Sequence, residues 1–176
     1  MPKTAKILAM VVWALVQVQT VTTGQTLSCG PGDVVVAGYT QKDIRVYDGE
    51  TGVFKGVLVD PQPYAMGGLT FGPDGNLYAT MHEGAGDKVV RININTGELT
   101  DFVISGSGGL DGPSGQRFGP EGDLYVVSNH TRQVLVFDGS TGDYVGELAN
   151  VSPRSPIDIE FDVGGNAYIT CGSPYN

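Results

Sequence analysis

Apolar and polar residues alternate over short stretches of this chain, and Gly, Pro, Asp or Asn interrupts the alternation every few residues. Residues 77–81, 88–94 and 133–137 are examples, each rich in β-branched or aromatic side chains. Such runs fit half-buried strands and are too short for helices. Outside residues 7–18, no stretch keeps apolar side chains at helical spacing. The chain is therefore expected to be all-β.

The pattern also repeats. Leu69-Thr-Phe-Gly-Pro-Asp-Gly-Asn-Leu-Tyr78 returns as Gln116-Arg-Phe-Gly-Pro-Glu-Gly-Asp-Leu-Tyr125, and more loosely as Ile159-Glu-Phe-Asp-Val-Gly-Gly-Asn-Ala-Tyr168. Phe71, Phe118 and Phe161 step by 47 and 43 residues. A second marker ends in Thr-Gly, and its Thr51, Thr96 and Thr141 step by 45 residues twice. Two markers with one period define a unit of about 45 residues and four short strands, which is the pattern of a β-propeller blade. In the second unit the strands are expected at 68–71, 77–81, 88–94 and 99–104. Pro73-Asp74-Gly75-Asn76 supplies a tight turn, because Pro presets φ and Gly accepts positive φ.

The blades fall at about 33–60 (strands two to four), 67–104, 114–149 and 157–176 (strands one and two). This predicts 13 strands, or three to three and a half blades. Closed rings need at least about four blades. The expectation is therefore a partial β-propeller, a piece of a longer ring. Closure by a second copy, as a homo-oligomer, and a small self-closed form are the alternatives.

The first 28 residues read differently. Lys3 and Lys6 precede the apolar run 7–18, and residues 20–28 are small and polar. This is the layout of a secretory signal peptide, with cleavage after Gly24 or Ser28. The apolar run is shorter than the roughly 20 residues of a membrane span. The mature chain, 29–176, is expected to be secreted, periplasmic or at the cell surface. Thr26-Leu27-Ser28-Cys29 weakly resembles a lipobox, which would make Cys29 a lipid anchor. A Cys29–Cys171 disulfide and two free thiols are the other readings.

The stretch from Gly112-Pro-Ser-Gly to Val134-Leu-Val-Phe-Asp138 resembles an NHL repeat. The resemblance runs from about Asp33 to Cys171. It extends to the wider superfamily of SMP-30/gluconolactonase-like and streptogramin-lyase-like propellers. It implies blades; it does not imply a function, because one fold serves many. The superfamily's metal-dependent lactonases use Glu, Asn and Asp around the channel. Glu160, Asn129 and Asp158 are of those types here, but no motif ties them to that role.

Net charge is −9, from 19 acidic and 10 basic residues. Such a surface repels phosphate backbones, so nucleic acid is not an expected partner. Blade topology puts the loops before strand one and those between strands two and three on one rim. That rim gives the candidate binding residues Tyr64, His82, Glu83, Asp87, Asp111, Gln116, Asn129, His130, Arg132, Arg154 and Asp158. Asn129-His-Thr131 and Asn150-Val-Ser152 are glycosylation sequons. Arg117 and Glu160, at equivalent inner-strand positions, are expected to pair between blades. Neither a nucleophile elbow nor a P-loop, zincin helix or CxxC pair occurs. No catalytic residue and no cofactor is predicted. The first functional expectation is a binding scaffold for a protein, glycan or small ligand. The alternative is a metal-dependent hydrolase or lyase, using Ca, Mg or Zn, of the lactonase or streptogramin-lyase type.

Overall fold

The computed structural model describes residues 27, 29–83 and 86–173. The signal-peptide reading of 1–28 therefore lies almost wholly outside the described residues. Thirteen strands are described, in four antiparallel sheets of three, four, four and two. The first sheet holds β1 (Asp33–Ala37), β2 (Ile44–Asp48) and β3 (Phe54–Val59). The second runs β4 (Ala65–Phe71), β5 (Leu77–His82), β6 (Lys88–Ile92) and β7 (Leu99–Val103). The third runs β8 (Pro113–Phe118), β9 (Leu124–Ser128), β10 (Gln133–Phe137) and β11 (Tyr144–Asn150). The fourth holds β12 (Ser155–Phe161) and β13 (Ala167–Gly172). Within each sheet the strands follow chain order. The architecture is that of a partial β-propeller, as the repeats predicted.

The core is not inside any sheet but between sheets. Ile44, Val46, Leu58 and Val59 of the first blade meet Met66, Leu77, Ala79, Met81, Val90 and Ile92 of the second. Tyr78, Val89 and Val103 of the second meet Leu124, Val126, Leu135 and Phe137 of the third. The third seam is smaller: Val127 and Val134 against Ile159, flanked by Tyr125, Phe161 and Ile169. A four-stranded sheet has two apolar faces, so each blade is completed by its neighbours.

The Thr-Gly marker forms one turn three times. Asp48, Asn93 and Asp138 each accept, on side-chain Oδ1, the N–H groups two and three residues ahead, at 2.8–3.3 Å. The turn closes on Gly52, Gly97 and Gly142, with φ of 69°, 72° and 78°. Asp and Asn serve here because a short side chain with an acceptor oxygen mimics a backbone turn.

The inner strands differ from the sequence expectation. The first strand of the second unit was expected at 68–71 and the third and fourth units from 114 and 157, whereas β4 begins at Ala65, β8 at Pro113 and β12 at Ser155. Each of these strands carries a bulge, between Met66 and Leu69, Pro113 and Gln116, and Pro156 and Asp158. An extra residue at a bulge shifts the alternation that marks a strand, so the pattern concealed the strand's first half.

The cysteines are free thiols. Cys29 packs against the first seam, while Cys171 lies in β13 of the last sheet, so the disulfide reading is corrected. Burial pushes the Cys29 thiol above its ordinary pKa, aided by the nearby Asp33 carboxylate. Among the described residues, no helix is long and apolar enough to cross a membrane.

Candidate functional site

The bulged inner strands converge on the channel side and enclose a cleft of about 340 Å³. Its floor is the Gly67-Gly68-Leu69 segment of β4 and the Ser114-Gly115 segment of β8. Tyr39 and His82 close one side, and Arg117, Ile157 and Asp158 the other, with Gln116 between. The inner strands lie too close for ordinary side chains here. A Cβ on Gly115 would sit 2.2 Å from Asp158 Oδ1 and 2.5 Å from Asp158 Cα. The Thr80 hydroxyl ties the same strands together: it accepts the Gly68 N–H at 2.8 Å and donates to Ser114 O at 2.7 Å.

Gln116 is the unusual lining residue. Its repeat equivalents are Leu69 and Ile159, which pack into seams. Gln116 is 1% exposed. Its Nε2 donates to Gly68 O at 3.3 Å, while Oε1 has no partner. A buried amide oxygen without a donor costs about 1–3 kcal/mol relative to a satisfied one. The expected Arg117–Glu160 pair forms, with Nη2 to Oε2 at 2.6 Å. Arg117 Nε is buried without a partner. Asp158 is exposed, and its Oδ1 accepts the Ile159 N–H at 2.9 Å. The Tyr39 and His82 rings lie 4.9 Å apart, tilted by 45°.

Of the sequence-named rim residues, His82, Gln116 and Asp158 meet in this cleft. The others are placed elsewhere, most of them in structural bonds. Asp87 is buried; its Oδ1 accepts the Glu83 N–H and its Oδ2 the Gly112 N–H of the next blade, both at 3.0 Å. Glu83 pairs with Lys42 at 3.0 Å, and Lys42 also donates to Pro63 O. Tyr64 packs on the first seam and covers Gly86. Asn129 donates its side-chain N–H to Pro156 O at 2.6 Å, so the nitrogen that a glycan would take is engaged. Asn150 is exposed. His130 Nδ1 lies 2.8 Å from Asp111 Oδ1 on the open surface, and Arg154 is exposed.

Arg132 has φ of 63°, and Lys42 takes the same left-handed backbone at 59°. Each then offers its carbonyl to the chain leaving its blade: Arg132 O accepts the Val151 N–H, and Lys42 O accepts the Gln62 N–H. The strain at these two basic residues thus has a structural use.

Sequence reasoning missed Tyr39, Thr80 and the Gly67-Gly68 floor. A signal for Gln116 was present in the repeat alignment, as a polar residue among apolar equivalents. Among the described residues, no group of three or more His, Cys, Asp or Glu could hold a metal ion. Glu160 and Asn129 are committed to Arg117 and to Pro156 O.

No family model and no curated protein sequence matches the chain. Solved structures do. A protein provisionally assigned as a gluconolactonase matches with TM-score 0.68 and 17% identity over 80% of this chain and 54% of its own. A virginiamycin B lyase from Staphylococcus aureus, solved with quinupristin, gives 0.64 and 20% over 86% and 50%. A nidogen/laminin complex gives 0.65 and 20% over 78% and 52%. The chain spans about half the length of each. At these identities the likeness establishes the β-propeller fold and nothing finer.

Proposed function

We propose that this chain is an exported binding scaffold that holds a small ligand, or a projecting group of a larger partner, in the cleft on its inner strands. The observation that carries this reading is Gln116, a buried amide with an unpartnered acceptor at a repeat position that is otherwise apolar. Interiors satisfy nearly all such groups, so an exception calls for an explanation, a bound water or ion among them. The cleft volume lies at the lower end of the range of small-molecule sites. The basic and apolar start of the chain supports export. The NHL-like repeats support a scaffold role, since such blades carry loops and inner-strand clefts rather than a fixed chemistry.

The test is an amide-resolved NMR titration of the isotope-labelled chain against a small fragment collection. Shifts that cluster on Leu69, Gly115, Gln116 and Ile157 are the expected result. Shifts confined to outer strands or loops would overturn the cleft as the binding site.

A lactonase- or lyase-type activity is the second reading, favoured by two solved neighbours described as such enzymes. It requires a divalent ion at the channel. Calorimetric titration with calcium, magnesium and zinc tests it, and saturable binding by none of them removes its basis.

A further inference from the structure

The first blade differs from the two complete ones by a single strand. Its sheet holds β1, β2 and β3, and β1 is its edge on the channel side. The Gly38 N–H bond to Asp43 O fixes the phase of the β1–β2 ladder, so Val34 and Val36 turn their backbone groups towards β2. Val35 and Ala37 turn theirs the other way, and among the described residues no backbone group meets them. In the other three sheets the same edge is paired. Tyr78, Tyr125 and Tyr168, which correspond to Val35, stand opposite Thr70, Arg117 and Glu160 of the inner strands.

Exposed edges usually carry a charge, a proline or a bulge that discourages a further strand. The outer edges of this chain follow that rule. Strands β3, β7 and β11 contain Lys55, Asp101 and Glu147, and each meets its neighbour across a bulge. Strand β1 has three valines in a row, no charge after Asp33 and an unbroken register with β2. Strand β13 is also uncharged, but its sheet is two strands short of four, whereas one strand completes the first blade.

We infer that the β1 edge is a strand-accepting site. It takes an extended segment of a partner polypeptide, antiparallel to β1, with the small-Gly-polar-basic-aromatic pattern that β8 shows over Ser114–Phe118. Backbone bonds to Val35 and Ala37 supply the affinity, as in other strand additions. The glycine is required by geometry. The incoming strand runs beside β4 as β4 runs beside β8 and β8 beside β12. At those crossings a Cβ on Gly68 would lie 2.6 Å from Ser114 O, and one on Gly115 2.5 Å from Asp158 Cα. The basic residue stands opposite Val35, as Arg117 stands opposite Tyr125, and the chain's charge of −9 favours it over an acidic one. This surface does not depend on Gln116 or Asp158, so it stands or falls independently of the proposed cleft.

The test titrates a peptide copying Gly112–Gly119 into the isotope-labelled full chain. The amides of Val35 and Ala37 are expected to shift. With the peptide at about ten times its Kd their hydrogen exchange slows about tenfold, because only the unbound fraction exchanges. N-methylation separates strand pairing from mere apolar contact. Methylating the peptide's Arg117 nitrogen, which faces the accepting strand, abolishes binding, while methylating its Phe118 nitrogen, which faces away, leaves it intact. Gly115→Val in the peptide abolishes binding through its collision with β4. Arg117→Glu weakens binding, and added salt narrows the difference. Every variant is in the peptide, so the folding of the chain is not at stake. Unmoved Val35 and Ala37 amides overturn the inference, and so do shifts centred on Ile169 of β13 instead. Equal binding of the two methylated peptides, or undiminished binding of the Gly115→Val peptide, overturns it as well. Undiminished binding of the Arg117→Glu peptide overturns the charge assignment.

Discussion

The second seam and the outer face of the fourth sheet carry the same residues in different company. Tyr78 stands edge-on between Phe102 of its own blade and Phe118 of the next, with centroids 5.0 and 4.9 Å away, and is 2% exposed. Tyr168, its equivalent in β13, is 58% exposed. Both hydroxyls donate to a turn carboxylate, Asp74 and Asp162 respectively, at 3.1 and 3.0 Å. The Thr-Gly turns make the same contrast. A Cβ on Gly97 would meet Leu58 O of the preceding blade at 1.9 Å, whereas one on Gly52 meets nothing within 4 Å. A blade motif thus contributes in proportion to what stands beside it. Stability in this chain resides in the seams more than in the sheets, as expected for repeat arrays.

The sharpest way to break that contrast is in the second seam itself. Phe137→Ala, at a fully buried position, is expected to cost about 3–5 kcal/mol in urea unfolding. If the loss is below 1 kcal/mol, roughly a surface value, the seam is not the core. Next come the turns. Gly97→Ala is expected to cost about 1–3 kcal/mol from backbone strain, increased by the collision with Leu58 O, while Gly52→Ala stays near 1. Equal losses would show that the neighbour does not matter. Tyr78→Leu should lose about 1–3 kcal/mol from two aromatic pairs, and Tyr168→Leu about 0.5 or less.

Two titrations sharpen the same comparison with smaller effects. Burial, reinforced by Asp74, pushes the Tyr78 hydroxyl up to about 12 from 10.0. The folded state therefore holds this proton more tightly than the unfolded chain. Its contribution is full below about pH 10 and is lost as pH rises through 12. Tyrosinate absorbance should show Tyr78 ionising last, and Tyr78→Phe should remove that late step. The Asp162 carboxyl is held down to about 2, chiefly by the Asn166 side chain and then by the Asn166 N–H. Its stabilisation is present above the unfolded value near 3.8 and disappears as pH falls through 2. Carboxyl carbon shifts should place Asp162 among the last to protonate, and Asn166→Ala should raise its midpoint.

Most of the fold was legible because the blade's turns are chemically specific. Asp or Asn with Thr-Gly, and Gly-Pro-x-Gly, each dictate one backbone path, so the strands between them were located almost to the residue. The inner strands were the exception, since their bulges interrupt the period-two pattern just where they line the channel. The candidate site was legible only in part for the same reason. His82, Gln116 and Asp158 fell among the rim candidates, yet Tyr39 and Thr80 carry no motif. Tyr39 reaches the cleft from the first blade, and such a meeting of blades is set by the arc's curvature rather than by local sequence. Asp87 and Asn129 looked like ligands because polar loop residues at a rim do. Each has a partner among the backbone groups beyond its own blade, Gly112 N–H for Asp87 and Pro156 O for Asn129, which a single repeat does not display.

The carbonyl ties at Lys42 and Arg132 have a practical consequence for redesign. Each of these loops closes on itself through a backbone bond, Lys42 N–H to Gly38 O or Arg132 N–H to Asn129 O, and its last carbonyl holds the chain leaving the blade. The tip at Thr40 and Gln41 is exposed and lies inside the turn that the Lys42 N–H to Gly38 O bond closes. Extra residues placed between Thr40 and Gln41 would replace that turn by a longer loop, with the Gly38 N–H to Asp43 O bond left to close its base, which makes the tip a graft point for a foreign peptide.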